Sequence, residues 1–293
     1  MARHLVAGGH EVVGVARRLT RVAGLAQAPM LDLADPGFGA RLRASVARCD
    51  AVVHAAAALD KEPGSEAVTL VNCRGTQQVV QVAEAWEVSA LVFVSGVAVV
   101  GRPRVLPVDE EHPVDPPTAY HASKVYGEHL VELAGRRALA AGRGLAACTL
   151  RLTAPVGPGT PEGRILTAFV RNALSGAPLP LAGDGGRRQD YVDVRDAAVA
   201  VDAAIERGAS GTFNVGSGSS VSNRELAEAV VAQLGSSSAI EPTGRPDPDE
   251  DVHWEVSIES ARAELGWEPR HTLSDAIAAA ADESRRASDR RKG

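Results

Sequence analysis

The sequence predicts an α/β protein built on a doubly wound parallel sheet, with a smaller C-terminal α/β lobe behind it. Three observations carry this reading. Short apolar, β-rich runs at 11–16, 51–56, 91–95 and 149–152 alternate with helical patterns near 35–48, 66–87 and 120–141. Buried strands that alternate with helices form parallel sheets covered on both faces. A hydrophobic share of 45% over 293 residues supplies a substantial core, and after Arg151 the texture shifts to Pro/Gly-rich loops and shorter elements.

The elements follow in order. Val12-Val13-Gly14-Val15-Ala16 is apolar and β-branched, and reads as a strand. The runs at 51–56, 91–95 and 149–152 read as buried strands, and the helix at 66–87 carries Val79, Ala83 and Trp86, facing either the core or a partner. Beyond Arg151 come a helix near 162–175 and short strands at 191–194 and 212–215. Further helices lie near 196–206, 222–234 and 258–265. Residues 241–251 are acidic and proline-rich and read as a loop, and the polar end at 284–293 is expected to fray. The domain expectation is 1–155 for the first unit and mainly 156–293 for the second, with segments such as 187–215 returning to the first.

Composition excludes several classes. A net charge of -6 without a basic block argues against a nucleic-acid binder. No apolar run approaches the roughly 18 residues of a membrane span, and Met1-Ala-Arg-His-Leu-Val-Ala is too short before Gly8-Gly9 for a signal peptide. Cys49, Cys73 and Cys148 are scattered, which reads as reduced thiols in a cytoplasmic protein. The eight histidines show no ligand spacing, so no metal is expected.

The chemistry is written at Tyr120-His-Ala-Ser-Lys124. Four residues apart on a helix, the phenol and the ammonium share one face. A phenol has a pKa of about 10, and a neighbouring cation favours its ionised form. Such a pair can move a proton to or from a sugar or alcohol hydroxyl.

Tyrosine and lysine at this spacing are a weak pattern alone; their surroundings give them weight. Gly9-His10-Glu11-Val12-Val13-Gly14, Leu31-Asp32-Leu33, His54-Ala55-Ala56-Ala57 and Asn72-Cys73-Arg74-Gly75-Thr76 precede the pair. Val94-Ser95-Gly96-Val97-Ala98-Val99-Val100-Gly101 stands just before it. Gly157-Pro158-Gly159, Gln189-Asp190-Tyr191-Val192-Asp193-Val194 and Phe213-Asn214-Val215-Gly216 follow. In this order the chain resembles the extended short-chain dehydrogenases/reductases of the NAD-dependent epimerase/dehydratase family, over nearly its whole length. The resemblance implies a Rossmann-like fold binding NAD(P). Tyr120 would be the general acid/base, with Lys124 on the nicotinamide ribose lowering the tyrosine pKa. Asp32 and Leu33 would lie at the adenine, and Ala55, Ala56 and Ala57 beside the cofactor. Long helices of this family pair into a four-helix bundle, which implies a homodimer through 66–87 and 120–141.

Departures are as informative. The family's first strand and its G-x-x-G-x-x-G turn, which receives the pyrophosphate, have no counterpart before Gly9-His10. Either Met1 is an internal start, or the chain as written binds NAD(P) weakly. The family's catalytic hydroxyl falls at Gly96; Ser95 is the candidate substitute, although strand alternation points it to the other face. Val97-Ala98 stand where 4,6-dehydratases carry Asp-Glu. At the end of the second strand Ala16-Arg17-Arg18 lacks the acid that binds an NAD ribose, and Arg17 and Arg18 favour the 2′-phosphate of NADP over NAD. The candidate substrate residues are Ala154, Arg188, Gln189 and Arg245. Ala154, with Val156, replaces the family's asparagine and tyrosine, and Gln189 replaces a frequent arginine. The expected activity is hydride transfer to or from a sugar nucleotide or related hydroxyl/carbonyl compound, as an epimerase or oxidoreductase. A ketoreductase with a non-nucleotide substrate, or a non-catalytic dinucleotide sensor, stays open.

Overall fold

The computed structural model describes residues 1–19 and 22–292. Helices α1 (Ala2–Ala7) and α2 (Phe38–Ser45) come first, then strand β1 (Ala51–His54). A π-helical stretch, Val68–Gly75, runs into α3 (Thr76–Trp86), followed by β2 (Ala90–Gly96), α4 (Ala119–Ala140) and β3 (Ala146–Leu152). The second half holds β4 (Ala154–Val156), α5 (Ile165–Ser175), β5 (Leu179–Leu181), β6 (Arg188–Asp193), α6 (Val194–Glu206) and β7 (Gly211–Val215). It ends with β8 (Ser220–Ser222), α7 (Asn223–Leu234), β9 (Ile240–Pro242) and α8 (Leu273–Lys292).

Four parallel strands in the order β1-β2-β3-β7 form the main sheet. Side chains alternate across it. Leu91 and Phe93 of β2 pack with Val80, Ala83, Val131 and Ala134 of α3 and α4. Val92 packs with Val201 and Ala204 of α6 on the opposite face, beside Leu150, Phe213 and Trp267. Helices on both faces make this the expected doubly wound sheet. A second sheet, β4-β6-β8, and the β5-β9 pair lie over a separate apolar cluster that includes Phe169, Leu179, Leu226 and Ile277.

Two elements depart from expectation. Residues 11–16 form no regular strand: they make only isolated parallel bridges, Val13 with Gln27 and Ala16 with Met30. A strand needs a ladder partner, and among the described residues β1 pairs only with β2. Val13 and Leu31 instead lean on the cluster of Phe38, Leu42, Val79 and Val82. The polar segment expected to fray is helical where it is described, continuing α8 to Lys292, and Gly293 lies outside the described residues. Ala276, Ile277, Ala280 and Ala281 form its buried stripe, spaced as a helix requires. No helix among the described residues is long and apolar enough to cross a membrane.

Candidate active site

Helix α4 opens on Thr118, whose hydroxyl accepts from the His121 N–H at 3.4 Å, an N-cap that fixes the first turn. Tyr120 and Lys124 then share the face turned to β2. Gly127 lets the helix approach closely, since a Cβ there would meet the Phe93 ring at 2.5 Å. Lys124 can therefore reach under the helix. It is 5% exposed, and its Nζ donates to the Val94 carbonyl at 2.8 Å. The same atom lies 4.9 Å from the Phe93 ring centre and 5.9 Å from that of Tyr120. Burial brings its pKa down to about 8, opposed by the Glu128 carboxylate.

The phenol does not follow the expectation of a pKa lowered by Lys124. Burial pushes Tyr120 up, and the charge opposing that rise is Arg164. The physical reason is the lysine's commitment to the Val94 carbonyl and to Phe93, with the tyrosine ring further off.

Behind the pair, buried Asn72 joins the loop after β1 to helix α4. It accepts from the Ala58 N–H at 2.7 Å and donates to the Ala58 carbonyl at 3.0 Å and to Ser123 Oγ at 2.9 Å. Ser123 donates in turn to the Tyr120 carbonyl at 2.6 Å. This clamp was visible in the sequence only as a marker without a role. Ala55 and Ala56 are exposed on that loop and Ala57 is half-buried. His54, 4% exposed, bonds Thr76 Oγ1 at 2.9 Å, and burial and then Lys124 drive its pKa to about 3. Asp32 Oδ1 accepts from the Ala34 N–H at 3.0 Å, Leu33 packs on Gly75, and Arg17 and Arg18 are exposed.

Ser95 is not placed with Tyr120. Its hydroxyl donates to Glu128 Oε1 at 2.5 Å, and Glu128 pairs with Arg151 at 2.8 Å, all three buried. Alternation along β2 puts Ser95 on the Phe93 face, against the body of α4, so the substitute hydroxyl is committed to an ion pair. At Gly96 a Cβ would meet only the Leu152 carbonyl, at 3.7 Å. The space for a hydroxyl is there, without the hydroxyl.

A cavity of about 340 Å³ lies in the second lobe, lined by Ala154, Val156, Arg164, Arg187, Gln189 and Tyr191 among others. Arg188 is not among the residues lining it. Strand parity sends it away from this cavity, to Ser220 Oγ at 2.8 Å and Glu225 at 3.0 Å, while Arg187 and Gln189 face inward. Arg245 is exposed and outside the lining; its carbonyl accepts from the Gly183 N–H at 2.8 Å. Arg164, at the N-cap of α5, went unnoticed in the sequence because a loop brings it in. Elsewhere, His10, Asp202 and Glu206 gather ligand atoms within 4.8 Å of one another, and His4 also meets Asp202 at 3.0 Å. These contacts tie α1 and its following loop to α6.

The model of the NAD dependent epimerase/dehydratase family matches residues 1–216. The chain belongs to this family. It is 30% identical to a dTDP-glucose 4,6-dehydratase of Streptomyces niveus, over 79% of this chain and 69% of the relative. A putative UDP-glucose 4-epimerase of Methanocaldococcus jannaschii is 30% identical over 71% of this chain and 67% of its own. A dTDP-glucose 4,6-dehydratase of Xanthomonas campestris is 31% identical, over 59% of this chain, which spans about half (51%) of that relative. Among solved structures, the UDP-glucose 4-epimerase of Thermus thermophilus in complex with NAD superposes with a TM-score of 0.82. It is 26% identical, with 96% of this chain and 93% of that one covered.

A family dinucleotide finds a partial fit. Lys124, the Ala55–Ala57 side of the β1 loop and the Asn72 clamp suit a nicotinamide ribose. For the pyrophosphate, the glycines ahead of the main sheet do not form a turn leading into a helix, since Gly8 and Gly9 follow α1 rather than precede it.

Proposed function

We propose that this chain is a nicotinamide-dinucleotide-dependent epimerase or oxidoreductase that acts on a hydroxyl or carbonyl of a nucleotide sugar, with Tyr120 as its acid/base. The observation that carries this is the buried Lys124 ammonium, held by the Val94 carbonyl under the turn that presents Tyr120. When bound, the dinucleotide supplies the hydride acceptor and donor. Tyr120 takes the proton from the substrate hydroxyl and later returns it. Arg164 biases the phenol towards its ionised form against the cost of burial, and Lys124 lies beside the tyrosine ring. Asn72 and Ser123 hold the helix turn in register with the loop after β1. The second lobe, taken as mainly 156–293, offers Arg164, Arg187 and Gln189 to the anionic and polar parts of the substrate, and 1–155 would carry the dinucleotide.

Val97 and Ala98 provide neither acid nor base, which favours epimerisation or simple oxidoreduction over 4,6-dehydration. Exposed Arg17 and Arg18 favour the 2′-phosphate of NADP. Tyr126 and Leu139, 40% and 79% exposed on α4, support a homodimer through α3 and α4. A second reading, a ketoreductase with a less polar substrate, draws on the apolar cavity wall at Ala154, Val156 and Leu166.

The test is Tyr120→Phe at saturating NAD(P)⁺ with UDP-glucose and dTDP-glucose, followed by fluorescence of the reduced dinucleotide. Wild type is expected to reduce the dinucleotide at least about 100-fold faster than the variant, with dinucleotide binding equal in both. Equal rates would remove Tyr120 from the mechanism.

A further inference from the structure

The acidic segment at 247–251 is engaged at each of its four carboxylates. Asp247 and Asp249 approach Arg187 at 3.9 and 3.3 Å. Asp249 and Asp251 approach Arg102 at 3.5 and 3.0 Å. Glu250 accepts the Gly186 N–H, and a Cβ at Gly183 or at Gly186 would collide with its carboxylate. Both glycines are thus fitted around this side chain, and the segment lies as a strap against the loop that leads into β6.

Arg187 also lines the 340 Å³ cavity, where Arg164 is the other cation and no carboxylate is among the lining residues. Any phosphate reaching Arg187 must therefore compete with two aspartates already beside it. We propose that Asp247 and Asp249 are specificity-determining residues that neutralise Arg187 and weaken the hold of the cavity on a diphosphate. This rests on reading the cavity as the nucleotide-sugar site. The Asp249 contact lies at a partly exposed rim, with the Asp249 side chain 42% exposed and Arg187 34%, whereas the longer Asp247 contact is made by a side chain only 10% exposed. At such a rim an ion pair is weak enough for a polyanion to displace. The strap then discriminates by charge: a diphosphate has to break these pairs, whereas a neutral group entering the same cavity does not.

Calorimetric titration of the full chain with inorganic pyrophosphate, UDP and uridine tests this, comparing wild type with Asp247→Asn/Asp249→Asn. Pyrophosphate and UDP are expected to bind about fivefold tighter to the double variant at low ionic strength, with the gain shrinking in high salt and uridine unchanged. Pyrophosphate reads Arg187 whether or not a nucleoside fits. A pyrophosphate gain without UDP or uridine binding therefore supports the strap and sinks the nucleotide-sugar reading instead. Equal or weaker pyrophosphate binding by the variant overturns the proposal. Should the double variant fail to fold, Asp249→Asn alone, at the more exposed of the two positions, is expected to show the same gain at smaller size.

Discussion

Replacing Lys124 with methionine is expected to stabilise the protein at neutral pH while abolishing its chemistry. Burial brings the Lys124 ammonium from 10.5 to about 8. Each pKa unit corresponds to about 1.4 kcal/mol, so near pH 7 the buried charge opposes folding by about 3 kcal/mol. The hydrogen bond to the Val94 carbonyl offsets about 1 kcal/mol of this. Methionine keeps the apolar stem against Phe93 and should leave a net gain of about 2 kcal/mol. Between pH 8 and 10.5 the unfolded lysine still holds a proton that the folded one has released. Wild-type stability therefore rises with pH across that window, and the variant lacks the rise. Urea unfolding near pH 7 and about pH 9.5 reads the difference, and the advantage of the variant should shrink by about 2 kcal/mol between them. A variant less stable than wild type near neutrality, or a gap that ignores pH, would refute the account of Lys124 as a desolvated cation.

Two further outcomes follow from the same neighbourhood. His54 binds a proton near 6.5 when unfolded but only near 3 when folded, so wild-type stability should fall as pH drops through that interval. His54→Gln should flatten this acid limb by up to about 4 kcal/mol in urea unfolding between those pH values, and an unchanged limb would remove His54 as its source. Gly96→Ser places a hydroxyl where a Cβ meets only the Leu152 carbonyl at 3.7 Å, on extended backbone that any residue adopts. It is expected to raise turnover about tenfold with unchanged thermal stability; a rate at or below wild type would mean that position 96 does not face the reacting oxygen.

What the sequence carried and what it withheld divide along physical lines. The main-sheet strands at 51–56, 91–95, 149–152 and 212–215 were readable because burial on both faces leaves near-continuous apolar runs. Tyrosine and lysine four apart needed only helical geometry to share a face. Residues 11–16 carry the same apolar signature without the ladder, because strand formation depends on a neighbour and not on the run itself. Helix α8 was missed because alanine at 276, 280 and 281 gives a weak apolar stripe whose burial comes from α5 and α7. The placements of Ser95 against Glu128 and of Arg188 against Ser220 share one cause: a strand offers two faces, and which residue turns which way is decided by register with distant partners. Arg188 is opposite Ser222 and Gln189 opposite Val221, and a slip of one residue would exchange Arg188 for Arg187 in the cavity. Arg164 reaches the cavity, and Asp247 and Asp249 reach Arg187 at its edge, from loops where no periodicity announces a direction. The Tyr120–Lys124 pair was therefore written in local spacing, whereas the charge balance around Arg187 is a product of the tertiary fold. Substrate preference in this chain should accordingly respond to substitutions on the 247–251 strap that leave Tyr120 and Lys124 untouched.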